Sequence, residues 1–120
     1  QSKRKLLWNT YFDALKSQIN FKTPLLPSYA TNNAHMFYII AKDINHRSQL
    51  INRLKENGFH SVFHYISLHS SDYYVSKHDK RVLGNSDKFT DCLLRLPLFY
   101  ELSTQEILKL TSLINTVRQL

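Results

Sequence analysis

Six histidines in 120 residues are the first place to look for chemistry, because an imidazole can donate, accept, carry charge near neutral pH and ligate a metal. His60, His64 and His69 lie close together, and the first two share one face if the chain is extended there. They do not complete a metal site. Zinc needs three or four convergent ligands with supporting partners, and neither a cysteine pair nor an acidic residue lies near enough in sequence to supply the rest. The single cysteine, Cys92, falls on the apolar side of a short helical stretch and reads as a core thiol rather than an activated nucleophile. Gly58 and Gly84 are the only glycines, both at element boundaries, so there is no glycine-rich phosphate loop. No catalytic residue and no metal ligand is assigned to this chain.

Charge points to a class of partner without choosing one. Sixteen Lys and Arg against nine Asp and Glu give +7, which suits nucleic acid, a phosphorylated metabolite or an acidic protein surface. The cations are scattered, with local clusters only at 3–5 and 77–81, so solvated surface is the simpler explanation. Nucleic acid is disfavoured: Phe37, Phe63, Phe89 and Phe99 fall in expected core elements, and the element order is not the βαββαβ of an RNA-recognition module. No apolar run approaches the roughly 20 residues that span a bilayer. The Lys3 to Thr10 segment turns polar too soon for a signal peptide, and one cysteine excludes an internal disulfide framework. A soluble chain in a reducing cytoplasm, without membrane contact, is the expectation. The length and the 42% hydrophobic content fit one domain over residues 1–120.

The elements that must position these residues follow from periodicity. Leu7, Tyr11, Leu15 and Ile19, four apart, predict an amphipathic helix over about 3–19, and Pro24, Pro27 and Asn32-Asn33 then predict an extended connector. The run from His35 to Ala41 reads as a strand covered on both faces, with His35 buried. Asp43 or Asn45 can cap a helix near 45–57 that stops at Asn57-Gly58. Strand composition resumes at Phe59 to Ile66, which sets His60, Val62, His64 and Ile66 on one face. Residues 67–85 are a polar loop of a length that is usually functional or disordered. Ser86 can cap a short helix through Cys92, and Leu94 to Leu98 is extended, with Pro97 at an edge or a strand end. Ser103 to Glu106 is a capping box that opens a helix buried along Ile107, Leu110, Ile114 and Val117. The fold class is α+β: a two-layer sandwich in which helices pack on a small, mainly antiparallel sheet of about three strands.

Several motifs occur in a characteristic order: His35-Met36-Phe37-Tyr38-Ile39; Leu54 and Gly58; Val62-Phe63-His64-Tyr65-Ile66-Ser67-Leu68-His69-Ser70-Ser71; Leu94-Arg95-Leu96-Pro97-Leu98-Phe99; and Leu102-Ser103. Together, over roughly residues 5–118, they make the chain resemble the C-terminal small domain of the DegT family of pyridoxal-phosphate-dependent sugar-nucleotide aminotransferases. The resemblance is strongest to members acting on dTDP-4-keto-6-deoxyhexoses in lipopolysaccharide and surface polysaccharide biosynthesis. It implies the small domain of a fold-type-I aminotransferase, with the N-terminal large domain that binds pyridoxal phosphate missing. It also implies that this chain alone binds no cofactor and turns nothing over.

By the same resemblance, His64 and Tyr65 match the His-aromatic pair lining the sugar pocket, and His69 closes the motif, so all three are expected to bind a dTDP-linked sugar nucleotide. An imidazole offers donor and acceptor to hydroxyls, and an aromatic ring packs on the sugar's C–H face. His60 departs from the family pattern, where a small residue is usual, and is expected at the surface without a role. The 70–85 loop would lie near the active-site mouth, where Lys77, Lys80 and Arg81 either meet phosphates or are simply solvated. Apolar surface around Trp8 and Phe12 is expected to be partly exposed where the large domain would pack, and to favour self-association, a homodimer included. The rival from another class is a non-catalytic binding module whose basic surface takes an anionic partner.

Overall fold

The computed structural model describes residues 1–117. It contains α1 (Ser2–Leu15), β1 (Phe37–Ile40), α2 (Ile44–Glu56), α3 (Gly84–Cys92), β2 (Leu93–Leu96) and α4 (Thr104–Thr116), with a 3-10 turn at Leu68–Ser70. The class is α+β, as the patterns predict, and the sheet is antiparallel, with Phe37 opposite Leu96 and Tyr38 opposite Arg95.

The sheet has two regular strands rather than about three. Residues 59–66 do lie beside β2, but they pair only at Val62 and Arg95, which exchange bonds of 3.2 and 2.8 Å. The register explains the brevity. Continuing it would set His60 against Pro97, which has no N–H to give, and His64 against Leu93, where α3 has only just ended. On the other edge, Lys22 pairs singly with Ile40.

One face of the sheet makes the core. Phe37, Ile39, Leu94 and Leu96 are buried with Tyr11, Leu15, Leu50, Leu54, Ile107 and Leu110. Tyr11 stacks on Phe37 at 4.9 Å between centroids and its hydroxyl donates to the Pro97 carbonyl at 2.8 Å. Burial, with a smaller contribution from Glu106, pushes the Tyr11 phenol well above its ordinary value.

Three expectations about exposure are overturned. Trp8 is only 6% exposed: it stacks on Phe12 at 5.3 Å, meets Phe37 edge-on, and donates its indole N–H to the Met36 carbonyl. Phe12 itself packs against the core. The Trp8 surface expected to be open on α1 is therefore covered inside this chain, while Phe12 is partly buried and Leu6 stays 56% exposed. Second, α1 ends at Leu15 and leaves Ile19 exposed, because the chain turns there to bury Phe21 and to pair Lys22 with Ile40. Third, His35 is exposed, and Phe63, Phe89 and Phe99 are each at least 43% exposed rather than core.

Two of the three expected helix starts hold, but Ser86 does not cap α3: the helix begins two residues earlier, at Gly84, where the Leu83 carbonyl accepts from the Asp87 amide and no side chain caps, so Ser86 lies inside it. Asp43 accepts from the His46 amide at 2.8 Å to start α2, and Gly58, at φ +83°, closes it in the left-handed region open to glycine. Ser103 accepts from the Glu106 amide at 3.1 Å while its own amide donates to Glu106 Oε2 at 2.8 Å. These bonds hold the Glu106 carboxyl below the usual carboxylate range. Cys92 is buried, and burial raises its thiol pKa, as befits a core thiol.

Candidate functional site

In a strand, alternate residues face opposite ways, so burying Phe37, Ile39, Leu94 and Leu96 turns Tyr38, Ile40, Leu93 and Arg95 to the other face, where all four are half-buried. The 61–67 segment crosses its β2 edge, held by the backbone pair at Val62.

Two guanidinium groups grip consecutive residues of that segment. Arg95 donates to His64 Nδ1 at 2.8 Å. A guanidinium can only donate, so Nδ1 is the acceptor and His64 is the neutral tautomer with its proton on Nε2. On the other side Arg47, buried in α2, lies over the Phe63 ring at 4.7 Å and donates to the Thr90 carbonyl of α3. Among the described residues neither arginine makes an ion pair. Ser61 and Ser67, which bracket the segment, have buried hydroxyls with no partner.

His64 and Tyr65 come together as the sequence motif requires. Their rings stack at 4.4 Å and 9°, and Tyr65, 73% exposed, leaves its other face open. His69 belongs to a second cluster: its Nε2 meets Asp87 Oδ1 at 2.6 Å and its ring lies 5.3 Å from that of His78. An ionised carboxylate only accepts, so Nε2 carries the proton of this bond. Among the described residues no hydrogen bond or ring contact joins His69 to His64 or Tyr65. His60 is exposed, as expected. Lys77 lies over the Tyr73 ring at 3.7 Å and Arg81 pairs with Asp79 at 3.4 Å, so these loop cations have local, exposed partners.

Arg95 and Arg47 are the residues that sequence reading passed over as scattered charge. The signal for Arg95 was present: it is the one ionisable residue inside an otherwise apolar strand, alternating with Leu94 and Leu96. Arg47 gave no such signal, since a cation on a polar helix is ordinarily solvated. Toward the connector, the same sheet face holds a cleft of about 560 Å³ lined in part by Lys16, Lys22, Leu25, Tyr38, Ile40 and Phe89. Among the described residues no group of three or more His, Cys, Asp or Glu could hold a metal ion, and no helix is long and apolar enough to cross a membrane.

Comparison with known proteins decides the family. The sequence profile of the DegT/DnrJ/EryC1/StrS aminotransferase family matches residues 1–115. The chain belongs to that family. An aminotransferase of this family from Brucella abortus is 26% identical and superimposes with a TM-score of 0.77 over 95% of this chain and 30% of its own. PseC of Helicobacter pylori, an aminotransferase involved in the biosynthesis of pseudoaminic acid, is 18% identical with a TM-score of 0.83, over 95% of this chain and 31% of its own. Spr1654 of Streptococcus pneumoniae, in its apo-form, is 18% identical with a TM-score of 0.85, over 96% of this chain and 30% of its own, and is also known in PMP and PLP forms. The chain spans about 30% of the length of these solved chains.

The residues present do not fit a pyridoxal-phosphate pocket. A Schiff base needs a lysine held inside a cavity, whereas none of the ten lysines of this family member is buried, and only Lys3, over the Tyr100 ring, is even half-covered.

Proposed function

We propose that this chain is the C-terminal small domain of a sugar-nucleotide transaminase that converts a dTDP-4-keto-6-deoxyhexose to its 4-amino sugar, as dTDP-4-amino-4,6-dideoxygalactose transaminase does, for lipopolysaccharide or other surface polysaccharide synthesis in the cytoplasm. One observation carries the reading: the family match runs over almost the whole chain, yet the chain spans only 30% of the solved structures it resembles. The rest of such a protein would hold the cofactor, whose conjugated ring acts as the electron sink.

The part left to this chain is a wall of the sugar pocket. His64 presents its Nε2–H, Tyr65 presents an open ring face for the sugar's C–H surface, and His69, anchored through Nε2 on Asp87, presents its Nδ1 edge. With half a pocket, polar groups stay imperfectly paired, so the isolated chain binds sugar nucleotides weakly and transfers no amino group.

The test is made on the complete protein loaded with pyridoxal phosphate. A cofactor absorbance band and amino transfer to a dTDP-4-keto-6-deoxyhexose support the reading. Absence of both would return the chain to a basic binding module, and turnover by the isolated chain would overturn the division of labour.

A further inference from the structure

We propose that Arg95 and the Nε2–H of His64 form an anion-recognition pair for the diphosphate of the sugar nucleotide, so that the charge-reading group of this chain lies on β2 and not in the cationic 77–81 loop. The inference rests on the sugar-nucleotide reading above and adds the part of the ligand that this face takes.

Four observations lead to it. First, Arg95 is half-buried without a carboxylate, so its charge is uncompensated among the described residues. A guanidinium has five N–H donors, and the one bond found for its side chain goes to His64. Second, that bond fixes His64 as the Nε2–H tautomer, and no described residue accepts from Nε2. The pair therefore presents donors and a positive charge with no competing acceptor, a pattern that fits phosphate oxygens better than sugar hydroxyls, which both donate and accept. Third, the donors are held in place: Val62 pairs with the Arg95 backbone, Tyr65 stacks on His64, and Arg47 holds Phe63. Such anchoring lowers the ordering cost of binding. Fourth, the loop cations lack these features, because Lys77 and Arg81 are exposed and engaged locally.

The experiment titrates the isotope-labelled chain with inorganic pyrophosphate, and separately with a neutral methyl hexoside, at fixed ionic strength, reading the imidazole nitrogens and the Arg95 side chain by NMR. Before ligand, His64 Nδ1 should read as unprotonated and Nε2 as protonated. Pyrophosphate should move His64 Nε2 and Arg95 together. Arg95→Gln should weaken that response about tenfold, the loss expected for a charge-assisted bond, and Arg95→Lys should weaken it less, since charge survives while the fork is lost. The Lys77→Gln/Lys80→Gln double variant should retain it.

Thermal unfolding checks that the variants are folded. Should Arg95→Gln not fold, Arg95→Lys and the loop variant still decide the matter, because the two assignments predict opposite rankings. A His64 response to methyl hexoside and none to millimolar pyrophosphate would overturn the anion assignment while sparing the sugar wall. A loop double variant that loses more affinity than the Arg95 variants would overturn it in favour of the loop. Failure of the complete protein to transfer an amino group would instead remove the catalytic reading and leave a pyrophosphate response at Arg95 intact, so the two failures are told apart.

Discussion

Phe37, Ile39, Leu94 and Leu96 on one face of the sheet are buried in the helical layer, whereas Tyr38, Ile40, Leu93 and Arg95, interleaved with them, meet the connector and the 61–67 segment and stay half-buried. The same eight backbone positions thus make both the core and the candidate site. The first face is held by apolar area and aromatic contact, which tolerate no missing volume. The second is held by point contacts: a guanidinium on an imidazole, a guanidinium on a phenyl ring, one backbone pair. Stability and recognition are separated across a sheet one residue thick.

That contrast would break most clearly at Phe37. Phe37→Ala should destabilise by about 3–5 kcal/mol, read by chemical denaturation, because it opens a cavity beneath Trp8 and Tyr11. A cost no larger than that of a site-face substitution would refute the division. Next comes Arg47→Met, which leaves the Thr90 carbonyl without its donor and releases Phe63. It should cost about 1–3 kcal/mol and speed hydrogen exchange at Val62 and Arg95 more than in β1. Ser103→Ala should cost about 1 kcal/mol by removing the α4 cap.

A pH scan sharpens the comparison without removing any volume. Burial lowers the pKa of His46, at the start of α2, below 6.5. The folded form therefore favours the neutral ring, and its contribution is present above the unfolded pKa and lost as pH falls below about 6.5. His46→Gln should flatten stability between pH 7 and 5. Glu106, with its carboxyl pKa held low by Ser103, works in a lower window: its contribution is present above the unfolded carboxylate pKa and lost as pH falls toward the depressed folded value. The smallest effect belongs to Tyr65→Ala, within about 0.5 kcal/mol in unfolding, since the ring is mostly in solvent; a larger loss would mean that Tyr65 is structural.

Much of the helical layer could be read in the sequence. The Leu7, Tyr11 and Leu15 stripe, the Asp43 and Ser103 caps and the stop at Gly58 are local features whose physics is complete within a few residues. What could not be read depends on partners distant in the chain. The alternation of Phe59 to Ile66 promised a strand, but strand length is set by the neighbour, and β2 is cut short by α3 on one side and Pro97 on the other. Trp8 and Phe12 looked spare because their partners, Phe37 and the Met36 carbonyl, arrive from another element. In the site, the His64-Tyr65 adjacency is written in the motif, while the Arg95 bond that sets the imidazole's tautomer follows from a single backbone pairing.

The lone tryptophan gives this chain a built-in optical gauge. Trp8 rests between α1 and β1, in contact with Phe12 and Phe37 and bonded to the Met36 carbonyl. Its fluorescence therefore reports whether the first helix is docked on the sheet. A ligand at the opposite face should leave that emission unchanged, which lets one cuvette distinguish occupancy of the site from loosening of the fold.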